Sequence, residues 1–385
     1  MNSQLYFMIV SSLYELLKSK DNHFFIFPIM VVLLWGVKID NFVKKSDMNL
    51  SLVDISIAPY GGDRKQALKN TIETAKLVEN LGFRRIWLAE HHNLANAAGR
   101  TPEVLIAAVA ENTKRIHVGS GAVLLNHYSP FKVAEVFGTL CELYPGRIDL
   151  GIGRATTGRY TDVALQRNRS AYQRFDDSLE QIEELLAWLT DDFPENHPLK
   201  GKVRSYNDGA LPNVYLLGSS SFSAEAAAEL GLAYVFASFI NTNGTYPITN
   251  TYTRTFQPSE KPYAHKTPKL TLSLSVYVHD TDELALQFSA PMQYMFRQMQ
   301  SGIISNAYLP EKEALDKLGG SALMERLNNP LHPPRYLVGK AETVAREIKL
   351  IRKTYGTEEI MFQIITANHT QRLKSLELLA KHLLD

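Results

Sequence analysis

Cysteine is almost missing from this chain: among 385 residues only Cys141 is one. A lone thiol rules out an intramolecular disulfide and a cysteine-built metal site, and it suits a reducing compartment, the cytoplasm. Neither sign of charge dominates. The 41 basic and 40 acidic side chains leave a formal net charge of +1, and no basic run offers the positive field that nucleic acid or an anionic membrane requires. There is no short-period repeat and no low-complexity tract. Several catalytic signatures are absent too: the HExxH metal motif, the GxSxG hydrolase elbow, and the Gly-Lys-Ser/Thr that would end a Walker A loop. No metal site is expected. Long apolar runs are equally scarce. The most apolar stretch, Phe24–Val37 (FFIFPIMVVLLWGV), has fourteen uncharged residues and contains Pro28, whereas a spanning helix needs roughly 20. The residues before it lack the basic start and small-residue cleavage site of a signal peptide. Residues 1–47 therefore read either as a membrane-associated segment or as an extension upstream of a true start at Met48, with one domain over 48–385.

What the chain does have is alternation. Hydrophobic residues make up 45% and charged residues 21%, enough to bury a large core. From residue 49 onward, short apolar β-type runs alternate with segments of helical period. Strands are predicted at Leu50–Ala58, Arg85–Ala89, His117–Leu125, Arg147–Gly153, Asn213–Leu217, Tyr234–Ser238, Leu270–His279 and Glu359–Ile365. Helices are predicted at Lys65–Leu81, Pro102–Asn112, Pro130–Tyr144, Ser170–Leu189, Ser221–Leu230, Ala341–Lys353 and Arg372–Leu384. Gly82 is placed to stop the first helix, and Thr101-Pro102 to cap and start the second. Strands alternating with crossover helices imply a parallel sheet, doubly wound or closed, and eight strands is the barrel number. The fold predicted is an α/β (β/α)8 TIM barrel with two insertions. The first, Asp191–Leu211, is polar and irregular. The second, Asp280–Tyr336, separates the seventh strand from its helix and is expected to form an active-site lid.

In such barrels chemistry sits at the C-terminal ends of the strands. That rule singles out Glu90-His91-His92-Asn93, Gly119-Ser120-Gly121-Ala122 running on to Asn126-His127, Gly151-Ile152-Gly153-Arg154, and Gly218-Ser219-Ser220-Ser221. The last of these, a strand followed by glycine, serines and a helix start, presents free backbone N–H groups that suit a phosphate, with Ser219, Ser220 and Ser223 as added donors. A serine that simply caps the helix explains it equally well. His91 is a candidate general acid/base or oxyanion donor. His92, pointing to the other face, is assigned a structural role. Arg154 suits a phosphate or an electron-rich ring, though spacing alone favours a surface ion pair. Cys141 is expected to be buried and inert.

Taken together, the strand ends resemble the bacterial-luciferase-like flavin monooxygenases. The segments that carry the likeness are WLAEHHN (Trp87–Asn93), HVGSGAVLL (His117–Leu125), SPFKVAE (Ser129–Glu135), YPGRIDLGIGR (Tyr144–Arg154), the LLGSSSFS stretch from Leu216 to Phe239, LVGKAETVAREI (Leu337–Ile348) and RLKSLELLA (Arg372–Ala380). The likeness is greatest to the stand-alone branch with AEHHN and YPGRIDLGIGRA signatures. It implies reduced FMN (FMNH2) across the barrel mouth, supplied by a separate NAD(P)H-flavin reductase. Molecular oxygen and a small organic substrate are the co-reactants, and the reaction passes through a flavin peroxy intermediate. On this reading Gly218, Ser219, Ser220 and Ser223 hold the phosphate, and Gly121-Ala122 carries a non-proline cis peptide under the ring. Arg154 lies near the flavin, Glu90 contributes to the cofactor site and orients its neighbours, and His91 is the catalytic acid/base. A homodimer through the first-half helices is implied as well. Gly153 stands where luciferase has a cysteine, Ser219 where it has a glutamate, and the loop Leu94–Arg100 departs from related sequences, which puts flavin contacts from that loop in doubt. Two alternatives stay open: hydride transfer with the deazaflavin F420 on the same fold, and a non-catalytic flavin-binding protein.

Overall fold

Apolar residues at every second position of short β-branched runs, each followed by a helix that turns the chain back, force parallel pairing. The computed structural model describes residues 48–154, 158–165, 177–207, 209–302 and 308–384. The extension 1–47 lies outside them, and so does the expected start, 170–176, of the helix before Leu189. The strands are β1 (Asn49–Asp54), β2 (Arg85–Leu88), β3 (His117–Ser120), β4 (Val123–Leu124), β5 (Ile148–Gly153), β6 (Asn213–Gly218), β7 (Ala233–Ala237), β8 (Leu270–His279), β9 (Tyr336–Lys340) and β10 (Glu359–Gln363). The helices are α1 (Arg64–Asn80), α2 (Pro102–Glu111), α3 (Pro130–Leu143), α4 (Arg159–Leu165), α5 (Ser178–Thr190), α6 (Ser221–Glu229), α7 (Thr245–Thr255), α8 (Asp282–Gln300), α9 (Glu311–Leu318), α10 (Ala341–Tyr355) and α11 (His369–Leu383).

The sheet is parallel throughout and closes on itself. β1 pairs with β2 and with β10, β10 pairs with β8, and the ring continues through β7, β6, β5 and β3. β4 continues β3 beyond Gly121-Ala122 and pairs with the end of β5. The result is the predicted eight-stranded (β/α)8 barrel. β9 lies off the ring, paired with the outer half of β8 from Ser275 to His279.

Period-two alternation sorts the side chains. Leu50, Leu52, Ile86, Leu88, Val118, Leu150 and Phe362 join one large cluster with the helix faces, the core between barrel and helices. Residues of the other parity, Val53, Trp87, Val235 and Met361 among them, form a separate cluster inside the barrel. The lower barrel interior is polar. Arg85 Nη1 donates to Asp149 Oδ2 at 2.5 Å and Arg85 Nε to Glu359 Oε1 at 2.6 Å. Trp87 Nε1 donates to the same Asp149 oxygen at 2.9 Å, Asn213 Nδ2 to Asp149 Oδ1 at 2.9 Å, and Ser51 Oγ to Glu359. The bonds from Arg85 and Trp87 join β2 to β5 and β10, which are not its ladder neighbours, and so cross the interior; those of Asn213 and Ser51 join paired strands. The Arg85 guanidinium lies 4.9 Å from the Tyr215 ring. Burial is the largest influence and works to raise the Asp149 carboxyl pKa, but the Arg85 charge, His117 and the Trp87 hydrogen bond together outweigh it and the net shift is downward. Gly119 allows the close approach: a Cβ there would stand 2.4 Å from the Asp149 carbonyl oxygen.

Three expectations need correction. The Asp280–Tyr336 insertion is largely helical. α8 is capped by Thr281, runs through Pro291, and packs Phe288 on Tyr277, while α9 lies against α8 through Ala290, Ala314 and Leu318. Its Tyr308 joins the inner cluster, and Met295 Sδ accepts from Asn96 Nδ2 at 3.8 Å, so the insertion reaches the barrel mouth. Thr101 occupies the cap position of α2 without a side-chain cap bond. The Thr-rich α7 was not foreseen. Asp191–Leu211 is irregular, as expected, and Cys141 is buried with its thiol pushed up to about 12, chiefly by desolvation. Among the described residues no helix is long and apolar enough to cross a membrane.

Removing Arg85 leaves two buried carboxylates without their cation. Arg85→Met is expected to lower the unfolding free energy by about 3–5 kcal/mol, read from the midpoint of a urea transition. A variant as stable as the parent contradicts this account of the barrel interior.

Candidate active site

The inward positions at the upper ends of the strands are small or apolar, and that leaves a cavity. It measures about 500 Å3 and opens at the C-terminal face, within the size of small-molecule sites. Its floor is made by Val53, Gly121, Gly153, Leu217, Val235 and Met361, with Ser273 and Gln363 adding polar atoms. Every predicted site residue lines it: Glu90, His91, Gly121, Ala122, Arg154, Gly218, Ser219, Ser220 and Ser223.

One end is formed by the start of α6. β6 runs into α6, whose cap residue Ser220 has extended backbone angles and makes no side-chain cap bond. The first N–H groups of α6 are thus left for a ligand. Arg154, exposed at the rim, lays its guanidinium 4.1 Å from the centroid of the Phe222 ring, beside that helix start. Ser219 is held through its carbonyl, which accepts from Asn241 Nδ2 at 2.8 Å. Ser223 is different: its hydroxyl donates to the Ser220 carbonyl at 2.9 Å and lies 3.0 Å from Tyr234 Oη. Gly218 admits this packing, since a Cβ there would meet Ser223 Oγ at 2.2 Å.

The opposite wall carries His91. Its backbone N–H donates to Gly99 at 2.9 Å, and its Nδ1 is out of reach of solvent without a protein partner. Desolvation pushes its pKa below the ordinary 6.5, against the opposing pull of Glu90 and with a smaller push from His92. The imidazole is therefore neutral at pH 7 and able to accept a proton. Glu90 is buried and fully engaged: Oε2 accepts from the Leu124 N–H at 2.9 Å, and Oε1 from Tyr128 Oη at 2.7 Å and His92 Nε2 at 2.6 Å. The Gly121-Ala122 peptide is cis, as the resemblance implied. The loop 94–100 does not enter the cavity as a ligand arm. It pairs with the continuation of β1, with an Ile57–Ala97 bridge and Ala98 N–H donating to Ser56.

The sequence did not single out Gln181 or Phe222, and it noted Asn126 without giving it a role. Asn126 Oδ1 and Gln181 Oε1 are buried acceptors without partners on the cavity wall. The signal for Gln181 was a polar residue on the otherwise apolar buried face of α5, beside Ile182 and Leu185. Among the described residues no cluster could hold a metal ion.

The family model described as luciferase-like monooxygenase matches residues 48–358. The chain belongs to that family. Its relatives include YwcH of Bacillus subtilis (strain 168), 37% identical over 88% of this chain and 100% of that protein. The N-acetyl-S-alkylcysteine monooxygenase of the same organism is 31% identical, covering 86% of this chain and 97% of the relative. Among solved structures, apo-MsnO8 is 35% identical with a TM-score of 0.76, covering 87% of this chain and 98% of that one. More distant solved structures share the fold alone. They include the oxygenating constituent of 3,6-diketocamphane monooxygenase from Pseudomonas putida, solved with FMN, at 20% identity and TM-score 0.62, covering 88% and 98%. An F420-dependent secondary alcohol dehydrogenase is 17% identical with TM-score 0.56, covering 88% and 99%. For a member of this family, the buried histidine on the cavity wall is the group whose ionisation is to be measured first. In an NMR titration of the ligand-free protein, the His91 imidazole is expected to titrate below pH 6.5. Unfolding restores the ordinary value, so the unfolded state binds more protons in that window, and stability falls as pH drops from 6.5 through the depressed value. A midpoint at or above 6.5 contradicts a neutral His91.

Proposed function

We propose that this protein is a monooxygenase that uses reduced FMN and molecular oxygen to oxidise a small organic substrate. The observation that carries the reading is the union, in one cavity, of an uncapped helix start flanked by Arg154 with a partly buried His91 whose pKa is lowered by desolvation. The residues fit the cofactor. The free N–H groups of α6, with the Ser219 and Ser220 hydroxyls and Arg154, suit a phosphate. The apolar floor suits a flat ring. The chemistry that bound reduced FMN supplies is the two-electron reduction of oxygen, by which one oxygen atom enters the substrate and the other leaves as water.

The chain's own part is to bind, shield and move protons. α6 and Arg154 anchor the anionic end. Gly121, Ala122 and Gly153 keep the floor bare so that a ring can lie on it. The His91 imidazole accepts a proton during the reaction and returns it, the neutral form being the competent base. The insertion, which touches the mouth through Tyr308 and Met295, excludes water from that side. We assign the supply of reduced FMN to a separate NAD(P)H-flavin reductase and the location to the cytoplasm. We also assign a homodimer through the first-half helices, where Val104 on α2 and Leu143 on α3 are exposed apolar residues.

Equilibrium binding of FMN, reduced FMN, riboflavin and F420 tests this reading. Reduced FMN is expected to bind best. Ser220→Asp is expected to weaken FMN by at least about tenfold, from charge repulsion at the helix start, while leaving riboflavin, which lacks the phosphate, nearly unchanged. Tighter binding of F420 with no oxygen uptake replaces monooxygenation by hydride transfer, and flavin binding without any turnover leaves a carrier protein.

A further inference from the structure

Gln363 is the last residue of β10, and it lines the cavity. Only 9% of it is exposed. A carboxamide so deeply placed needs partners, because it carries two N–H donors and an acceptor with two lone pairs. The backbone of Gln363 is held in the ladders to β1 and β8, but among the described residues its side chain bonds to none. Nor are its amide atoms sealed away from the cavity, as Asn126 Oδ1 and Gln181 Oε1 are. The residues around it on this side of the cavity, Val53, Ile55, Ala89 and Met361, are apolar. A position that only filled space would carry another of these, since an unpartnered buried amide costs stability that an apolar side chain does not.

The chemistry of the amide narrows what it can bind. It presents N–H and C=O side by side in one plane, so its complement is a C=O and an N–H side by side in one plane. That is the edge of a cyclic amide or imide. Rotation about the last side-chain bond reverses the order of the two groups, so an N–H flanked by a carbonyl on each side suits it in either sense. The apolar neighbours favour a flat group with greasy faces and a polar rim.

The order of the strands says where such an edge would come from. The ring runs β1, β2, β3, β5, β6, β7, β8, β10 and back to β1. β1 therefore stands opposite β6, with β10 and β2 on its two sides. The start of α6 follows β6. A molecule held by an anionic tail at α6 and laid across the mouth brings its far edge to β10, β1 and β2. There stand Gln363, the apolar pair Val53 and Ile55, and His91.

We propose that Gln363 reads the pyrimidine edge of the flavin ring, its carboxamide pairing with the ring N3–H and a carbonyl beside it. This rests on the reading of the cavity as a flavin site and names the residue that would recognise the ring as distinct from the phosphate. F420 carries the same edge, so the subsite serves either cofactor. A substrate amide would meet the same groups, and binding measured with flavin alone separates the two sources.

The test uses the full-length protein and Gln363→Leu, with Kd values from flavin fluorescence for FMN, riboflavin and N3-methylriboflavin. The methyl group removes the ring N–H and leaves the phosphate end untouched. The parent is expected to bind N3-methylriboflavin at least about tenfold more weakly than riboflavin. Gln363→Leu is expected to weaken FMN and riboflavin alike, by about five- to tenfold, and to narrow the methyl penalty to within about threefold. Its melting temperature without ligand is expected not to fall, because the amide holds nothing in the protein. The proposal is overturned if Gln363→Leu binds riboflavin as the parent does, or if the methyl penalty is absent from the parent or the same in both proteins. It is overturned too if the ligand-free variant melts several degrees lower, for then the amide is a brace. Should the parent bind F420 and no flavin, a fivefold loss of F420 affinity in Gln363→Leu sustains the subsite and an unchanged affinity removes it. A parent that binds none of these cofactors defeats the functional reading instead. Millimolar uracil, which carries the same edge without ring system or tail, then decides the proposal: a shift of the Gln363 side-chain amide signals in NMR upholds it, and no shift overturns it.

Discussion

Arg85 sits where a barrel is least forgiving, inside it, with water excluded and two carboxylates for company. An unpaired guanidinium there would be prohibitive, and so would either carboxylate alone. The three are tolerable only together. Bringing them together requires β2, β5 and β10 to face one another across a closed ring. The same Asp149 receives Trp87 and Asn213, and Tyr215 stacks beside the guanidinium. Trp87 is thereby pinned in the layer just below the cavity, where a Cβ on Gly121 would meet it at 3.0 Å. The polar lower interior and the bare upper floor are two levels of one construction. The ion network fixes the strands in register, and the strands present Gly121, Gly153 and Leu217 to the ligand space.

The cavity built on that base is electrically uneven. Its α6 end gathers positive potential from helix N–H groups and Arg154, while the other end holds a neutral imidazole beside a carboxylate already spoken for by three donors. On the proposed reading, a cofactor with one anionic tail places that tail at α6 and its ring toward His91.

Much of this was readable from the chain, and the parts that were not share a cause. The eight ring strands announced themselves because each is a short apolar run bounded by glycine, proline or a helix start. β9 escaped because YLVGK is brief and runs straight into α10, so its apolar residues read as that helix's approach. α8 escaped because Pro291 interrupts its pattern, and α7 because its threonines carry little helical preference. The strand-end rule found the cavity-lining glycines, serines and His91, since polar residues at those positions serve no core. It could not find Gln181, on a helix, or see that the Ser223 hydroxyl turns inward to Ser220 and Tyr234. The Arg85 network left a trace that alternation alone could have flagged. Arg85, Asp149 and Glu359 are charges at one parity of strands whose neighbours are apolar. Which charges met was a matter of long-range geometry, outside the reach of local pattern.

The first strand of the barrel is completed by the last. β1 finds one of its two neighbours in β10, and Arg85 finds Glu359 at a separation of 274 residues, while Asp149 is only 64 away. During synthesis the chain emerges from its N-terminal side, so Arg85 and Asp149 are available to each other long before Glu359 exists. Until the last strand is made, any sheet formed by the early half has one hydrogen-bonding edge unpaired and one ionic partner missing. Such an edge is open to pairing with other chains until the final strand arrives. Assembly in the cell is thus governed by the tail of the polypeptide, and shortening that tail by a few dozen residues would deprive the opening strand of a neighbour it cannot replace.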